Sequence, residues 1–384
     1  MAQPYDYDYL APLSVSEKLW RVNWLVIAII AVLGGIGVVA LFSVAGGSLQ
    51  PWAEQHALRM LFGVALILVV AATPIRFWLA IAYPVYLVAL ALLVAVFLFG
   101  TLRMGAQRWI EIGPLSFQPS EMMKVALVAA LARYYQWLPP HRVSNPIWLL
   151  PPLIMIALPA AFVLKQPDLG TAVLFIVVGL SILFLAGVNL LYFAAGAAAV
   201  AALVPVVLAN LHDYQRRRLM TFWEPDRDPL GAGYHIAQSK IALGSGGITG
   251  KGFMKGTQSQ LNFLPEKHTD FIFPMLGEEM GFIGTMMLLV LYGLLFFVLL
   301  TMGLRCRNQF SRLLIGGSSV VVFVYLFINV AMVTGLVPVV GVPLPLVSYG
   351  GTSMITIMFA LGLAQCGYVH RREMLRRSDM GTIC

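Results

Sequence analysis

The sequence contains few charged residues and few cysteines. Only 11% of its 384 residues are charged, as 25 Lys and Arg and 17 Asp and Glu, and three are cysteines. An average soluble domain carries roughly 25% charged residues. A soluble protein of this size could not cover its surface with so few charged side chains. Three cysteines exclude a disulfide-rich scaffold, and the 60% hydrophobic content excludes disorder. The chain is therefore predicted to be an integral membrane protein.

Long apolar runs predict an all-α, polytopic membrane protein with about ten transmembrane helices, since each needs about 20 mostly apolar residues. The runs lie near residues 24–45, 57–73, 78–99, 119–137, 147–164, 171–187, 190–209, 274–301, 312–335 and 350–369. Residues 1–384 are interpreted as a single membrane domain. Its predicted parts are helices 1–7 (residues 23–209), one long extracytoplasmic loop (210–273), helices 8–10 (274–369) and a cytoplasmic tail (370–384).

The positions of Lys and Arg predict that both termini are cytoplasmic. Predicted inner segments hold Lys18, Arg21, Arg76, Arg133, Arg142, Arg305, Arg307, Arg312, Arg371, Arg372, Arg376 and Arg377. The long outer loop is nevertheless basic, with Arg216, Arg217, Arg218, Arg227, Lys240, Lys251, Lys255 and Lys267. Such a loop is translocated largely regardless of its charge. Its basic character indicates attraction either to anionic headgroups or to an anionic ligand on the outer face.

Four polar clusters are predicted at the outer edge, where ionisable groups at membrane depth indicate function. In the first cluster, Pro119 suits the first turn of a helix, and the helix dipole favours Glu121 in that turn. Glu121 and Lys124 are three residues apart and are expected to pair. Either the pair is structural, or Arg108 and Lys124 face an anionic headgroup.

The second cluster, KQPDLGT, joins two apolar runs. Asp168 is expected to cap the next helix. Capping does not require the preceding lysine, which leaves anion binding open for Lys165.

The third cluster contains Lys267, His268 and Asp270, followed by Glu278 and Glu279. Asp270 stands where the loop meets the membrane, and it is interpreted either as a general base or as another acid at a helix start.

The fourth cluster, GVPLPLVSYGGTS, includes Ser348 and interrupts an apolar stretch with prolines and glycines. Irregular backbone at membrane depth indicates a protein-enclosed or polar cavity.

The glycine-rich stretch at residues 244–252 is similar to a phosphate-binding loop but fails its pattern at positions 245 and 252. It is interpreted as a flexible basic segment. No cluster of His or Cys has the short spacing that a zinc site favours.

The ordered segments FQPSEMMK, KQPDLGTA, NFLPEKHTDFIF, GEEMGFIG and PLPLVSYGGTSM resemble the SEDS family (shape, elongation, division and sporulation). The resemblance extends from the first span to the last and is strongest to the elongation-type, RodA-type members.

This resemblance implies a peptidoglycan glycosyltransferase that joins lipid II units into β-1,4 glycan strands on the outer face of the bacterial cytoplasmic membrane. It places the family's essential aspartate at Asp270. Its substrate-binding positions fall on Arg108, Glu121, Lys124, Lys165, Asp168, Lys267, His268 and Ser348. The implied partner is a class B penicillin-binding protein, which supplies the transpeptidase within the elongation machinery.

The chemistry of this reaction suits the residues. Lipid pyrophosphate is a good leaving group, so one base, Asp270, suffices to take the acceptor's proton. Basic residues are needed to stabilise the developing pyrophosphate charge. No cofactor is evident, and a divalent cation, Mg²⁺ or Mn²⁺, stays open.

Three alternatives stay open. The first is an FtsW-type division polymerase. The second is a lipid II flippase or transporter, which shares broken helices and buried charges. The third is a scaffold that only positions the penicillin-binding protein.

Overall fold

The computed structural model describes residues 13–99, 101–103, 106–112, 115–166, 168–209, 232–261, 264 and 266–375. Helices dominate these residues, as predicted. A short helix, α1 (Val15–Arg21), precedes the bundle. The long helices are α2 (Trp24–Val44), α3 (Ala53–Ala72), α4 (Ile75–Phe99), α5 (Pro119–Trp137), α6 (Pro146–Lys165), α7 (Leu169–Ala186) and α8 (Leu190–Ala209). They continue after the long loop as α9 (Ala232–Ser245), the short α10 (Thr257–Gln260), α11 (Ile272–Leu304), α12 (Gln309–Val333) and α13 (Gly351–Val369).

Each predicted span corresponds to one of these helices, namely α2 to α8 and α11 to α13. Among the described residues, seven helices are long and apolar enough to cross a membrane. Shorter apolar stretches cover Leu169–Leu185 in α7 and Leu190–Ala202 in α8. The remaining span, α5, carries Glu121, Lys124 and Arg133, which lower its hydropathy. Its burial explains how these charges are tolerated: α5 packs against α4, α6, α7, α12 and α13.

A small antiparallel sheet stands between α4 and α5 and was not predicted. Within the described residues it consists of β1 (Thr101–Arg103), β2 (Ala106–Ile112) and β3 (Leu115–Phe117), in the order β1-β2-β3. Strand β2 pairs with both neighbours, and Ile110 stands opposite Phe117. The sheet leads directly into α5 through Gln118, the residue that precedes the first turn of that helix.

The last described residues contact the start of α4 and the end of α5. These helix ends lie at the opposite end of the bundle from the predicted polar clusters. Arg76, at the start of α4, pairs with Glu373 at 2.8 Å between Nε and Oε1. The amide of Gln136, at the end of α5, donates to the carbonyl of Leu375 at 3.0 Å. Glu121, by contrast, lies at the start of α5. The two groups of polar contacts therefore occupy opposite ends of the bundle.

Helix α11 is broken at Gly281, whose φ is +68°. The break is held by residues 246–252, here named the glycine segment. The amides of Lys251 and Gly252 donate to the carbonyls of Glu278 and Glu279, both at 3.0 Å. On the other side of the break, the amide of Phe282 donates to the carbonyl oxygen of Gly247 at 2.9 Å. The prediction that this stretch is flexible is wrong, because its backbone is hydrogen-bonded to the broken helix.

Side chains reinforce the same junction. The Glu278 carboxylate is fully buried and pairs with Lys251 at 2.6 Å between Oε1 and Nζ. It also accepts from the amide and hydroxyl of Thr257, both at 2.9 Å. Glu279 accepts a hydrogen bond from Ser43 of α2 at 2.5 Å. These contacts fix the part of α11 that directly follows Asp270.

We expect Gly250→Ala to destabilise the protein, whereas Gly244→Ala serves as a matched control. A Cβ at Gly250 would lie 2.1 Å from the carbonyl oxygen of Glu279, and its φ is +79°. The left-handed backbone alone costs an alanine about 1–2 kcal/mol. A Cβ at Gly244 meets no heavy atom within 4 Å. Thermal unfolding in detergent should show a lower Tm only for Gly250→Ala; equal Tm values would contradict the packed glycine segment.

Candidate functional site

Helix α5 presents a buried ion pair in its first two turns. Pro119 occupies the start of the helix and Glu121 its first turn, as predicted. The predicted pairing of Glu121 with Lys124 is confirmed, at 2.5 Å between Oε1 and Nζ. The two residues are 5% and 1% exposed. A charge pair this deeply buried costs desolvation free energy, which marks the position as a candidate for function.

Tyr325 of α12 completes this pair. Its hydroxyl donates to the Glu121 carboxylate and accepts from the Lys124 ammonium. The Lys124 nitrogen also lies 4.4 Å from the centre of the Tyr325 ring. The sequence analysis missed Tyr325. Its signal was present, because Tyr325 and Asn329 are polar side chains four residues apart in an otherwise apolar run.

Asp168 caps α7, as predicted. Its Oδ1 accepts from the amide of Thr171 at 3.3 Å, and its Oδ2 accepts from the Thr171 hydroxyl at 2.8 Å. In the first turn of α7, a Cβ at Gly170 would lie only 1.8 Å from Cγ1 of Val340, so the Val340 side chain packs directly against the backbone of this turn. Lys165, at the end of α6, is exposed and stays available to an anion.

Residues 266–271, here named the aspartate loop, are held by aromatic contacts. The His268 ring stacks on Trp52 at 4.5 Å, with an interplanar angle of 14°. The centre of the Tyr349 ring lies 6.0 Å from the centre of the His268 ring. The Tyr349 backbone amide donates to the His268 carbonyl at 2.9 Å. Burial lowers the pKa of the His268 imidazole, which favours its neutral form.

Tyr349 is itself fixed by α3. Its hydroxyl donates to Gln55 and accepts from the Arg59 guanidinium, the latter at 3.1 Å. The Arg59 guanidinium carbon also lies 4.5 Å from the centre of the Tyr349 ring. The start of α3 therefore positions the aspartate loop indirectly.

Asp270 is half-buried and stands beside residues 334–350, here named the proline loop. Its backbone carbonyl accepts from Asn329 of α12 at 2.9 Å. A Cβ at Gly341 would lie 3.2 Å from Asp270 Oδ2, and the φ of Gly341 is +79°. Asn329 follows Tyr325 by four residues, which is about one turn of helix. Asp270 is thus held about one helical turn from the residue that binds the buried ion pair.

Lys267 and Ser348 have buried side chains. Lys267 is 8% exposed, and burial lowers the pKa of its ammonium group. Ser348 is 2% exposed, and its hydroxyl accepts from the amide of Leu344 at 2.8 Å. This bond stabilises a turn of the proline loop. Arg108 lies in β2, and its side chain is outside the described part of the chain.

No group of three His, Cys, Asp or Glu side chains that could hold a metal ion occurs in the described ranges. The carboxylates of Glu121 and Asp168 already accept hydrogen bonds from protein groups. Cys306 and Cys366 are buried and free, and Cys384 lies outside the described residues.

The third and fourth predicted clusters are in direct contact, and the first and second are connected to them through α12 and the proline loop. The first cluster meets α12 at Tyr325, the second meets the proline loop at Val340, and the third meets it at Gly341 and Tyr349. One helix, α12, thus connects the loop that carries a half-buried carboxylate to a buried ion pair. A carboxylate held in this way can accept a proton from a hydroxyl group, and a departing anion would require cations to neutralise it.

Comparison with known proteins gives one family and several close relatives. Residues 22–372 match the family model FTSW_RODA_SPOVE, described as "Cell cycle protein". The peptidoglycan glycosyltransferase MrdB of Escherichia coli (strain K12) is 45% identical over 328 residues, which cover 85% of this chain and 87% of MrdB. The probable peptidoglycan glycosyltransferase FtsW of Idiomarina loihiensis is 35% identical over 330 residues, covering 85% of this chain and 80% of FtsW.

Two solved structures have a similar fold. A chain from the work "Structural coordination of polymerization and crosslinking by a peptidoglycan synthase complex" matches with a TM-score of 0.80 and 30% identity. The match covers 92% of this chain and 99% of that one. The crystal structure of the Thermus thermophilus rod shape determining protein RodA matches with a TM-score of 0.68 and 26% identity, covering 92% and 98%.

Proposed function

The chain belongs to the FTSW_RODA_SPOVE family, and we propose that it is a peptidoglycan glycosyltransferase in which Asp270 is the general base. It is a multi-pass bacterial membrane protein that polymerises lipid II into glycan strands during cell elongation. The 45% identity to MrdB, against 35% to FtsW, supports the elongation role. Its partner is a crosslinking enzyme, a class B penicillin-binding protein, as the similarity to a chain of a peptidoglycan synthase complex supports.

The placement of Asp270 carries the assignment of the base. Its main chain is bound to α12 at Asn329, one turn from the Tyr325 that contacts Glu121 and Lys124. The half-buried carboxylate is therefore fixed in position next to a polar site rather than free in a loop. A base must come within hydrogen-bond reach of the proton it removes, and rigid placement favours that geometry.

In the proposed reaction, Asp270 takes the proton of the acceptor's 4-hydroxyl group. The resulting oxygen attacks the anomeric carbon of the donor sugar, and the bond from that carbon to the pyrophosphate breaks. One inversion converts the α-linked donor into a β-1,4 bond. The lipid pyrophosphate leaves with the electron pair of the broken bond.

Positive groups stabilise that leaving group. Lys165 is exposed and can approach the pyrophosphate directly. Lys124 is 1% exposed, so we assign it a different role, as a fixed charge beneath the site. A divalent cation arriving with the substrate would add charge neutralisation. We place the reaction on the extracytoplasmic side, which the predicted topology and the opposite location of the C-terminal contacts support.

Reconstitution tests the function. The purified chain, its penicillin-binding partner with the transpeptidase blocked, and lipid II should yield uncrosslinked glycan polymer. Omitting Mg²⁺ and Mn²⁺ from the same assay measures the cation requirement. Transfer of labelled lipid II across vesicles without any polymer would support a transporter and contradict the enzyme. Other polymerases can copurify with the partner. If removing them abolishes polymer formation, this chain would be a scaffold and not the polymerase.

A further inference from the structure

Asn329 binds the aspartate loop and the proline loop at once. The residue is 0% exposed in α12. Its Nδ2 donates to the carbonyl oxygens of Asp270 at 2.9 Å and of Val342 at 2.7 Å. A side-chain amide nitrogen carries two hydrogens, so both are used. The two loops that flank the Asp270 carboxylate are therefore held together by one side chain.

The position of Asn329 on α12 connects these loops to the buried ion pair. Tyr325, four residues earlier, lies on the same helix face and binds both Glu121 and Lys124. Four residues correspond to a rise of about 6 Å along a helix. A rigid helix therefore sets the distance from the ion pair to the main chain at Asp270.

The oxygen atom of the Asn329 side-chain amide indicates that this residue does more than stabilise the fold. Asn329 Oδ1 is buried and has no hydrogen-bond partner among the described residues. A buried polar atom left unpaired offsets much of what the hydrogen bonds contribute to stability. The two hydrogen bonds of Asn329 are therefore expected to contribute less to stability than their number suggests, although they join the two loops.

We propose that Asn329 is a positioning residue for glycosyl transfer. It holds the main chain at Asp270 against Val342, and so it directs the carboxylate across Gly341, whose missing side chain leaves the space that Oδ2 approaches. Asn329 acts through Asp270 and does not touch the substrate. This inference rests on the proposed function of Asp270.

Steady-state kinetics of Asn329→Leu test the proposal. Leucine keeps the approximate volume and removes both donors without adding a charge. We expect kcat for glycan polymerisation, measured per folded molecule, to fall about 10–100-fold, since small misplacements cost this much. The KM for lipid II should change less than about 3-fold. Asn329→Ser, which keeps one donor, should give an intermediate kcat.

Ser318→Ala is the matched control. Ser318 is buried on the same helix, and its hydroxyl donates only to the Leu314 carbonyl at 2.8 Å within that helix. We expect wild-type kcat and KM from this variant. A wild-type kcat per folded molecule from Asn329→Leu would overturn the proposal. If Asn329→Leu does not fold, a wild-type kcat from Asn329→Ser overturns it, and failure of both to fold would assign a structural role instead.

The outcome is separable from that of the proposed function. An active Asp270→Asn variant would contradict the assignment of the base. An inactive Asp270→Asn variant combined with a wild-type kcat in Asn329→Leu would contradict only the role of Asn329.

Discussion

Replacing Asp270 by asparagine is expected to lower the rate of glycan polymerisation by about 10²–10⁴-fold, the usual contribution of a general base. Asparagine keeps the shape of the side chain but cannot accept the acceptor's proton. The backbone carbonyl of residue 270 still binds Asn329, so the loop should keep its position. The length and amount of polymer are measured with the partner present and its transpeptidase blocked. The Tm and the affinity for lipid II are measured for the same variant.

Glu266→Gln provides the matched control for that variant. Glu266 lies in the same aspartate loop, and its carboxylate accepts from the Thr269 hydroxyl at 2.9 Å, a bond that the amide oxygen of glutamine can keep. We expect its polymerisation rate to stay within a few-fold of wild type. Equal losses in both variants would indicate that any change of charge in the loop impairs the enzyme, and would contradict a specific role for Asp270.

Replacing Lys124 by methionine is expected to reduce stability by about 3–5 kcal/mol, the cost of leaving one partner of a buried ion pair uncompensated. Lys124 and Glu121 have side chains only 1% and 7% exposed, so solvent cannot compensate for the lost partner. The free energy of unfolding, or the Tm in detergent, measures this effect. Unchanged stability would contradict the buried pair.

The double variant Lys124→Met with Glu121→Leu separates structure from function. Replacing both charges by apolar side chains should recover most of the lost stability. It should not recover polymerisation, because the fixed charge beside Tyr325 is absent. Wild-type polymerisation by the stable double variant would show that the pair only stabilises the fold.

Local sequence signals predicted much of the bundle and part of the site. Pro119 and Glu121 predicted where α5 begins. The spacing of three residues between Glu121 and Lys124 was enough to predict their ion pair. Asp168 was recognised as a cap from its position before an apolar run. These features depend on neighbours within one helical turn, for which the backbone geometry is known in advance.

Features formed between distant segments could not be predicted in this way. Tyr325 meets Glu121 across 204 positions of sequence. The glycine segment was expected to be flexible, because its composition does not reveal that Gly250 fits against the Glu279 carbonyl at the break in α11. The sheet between α4 and α5 was likewise missed, since strands of three to seven residues carry little periodic signal.

Chemical rescue of Asp270→Ala by formate tests the central claim, that Asp270 supplies the base, most directly. The alanine variant should make no measurable polymer with lipid II and the partner alone. Added formate should restore polymerisation in proportion to its concentration, because a small carboxylate can occupy the space of the lost side chain. Wild-type polymerisation by Asp270→Ala without formate would contradict the account.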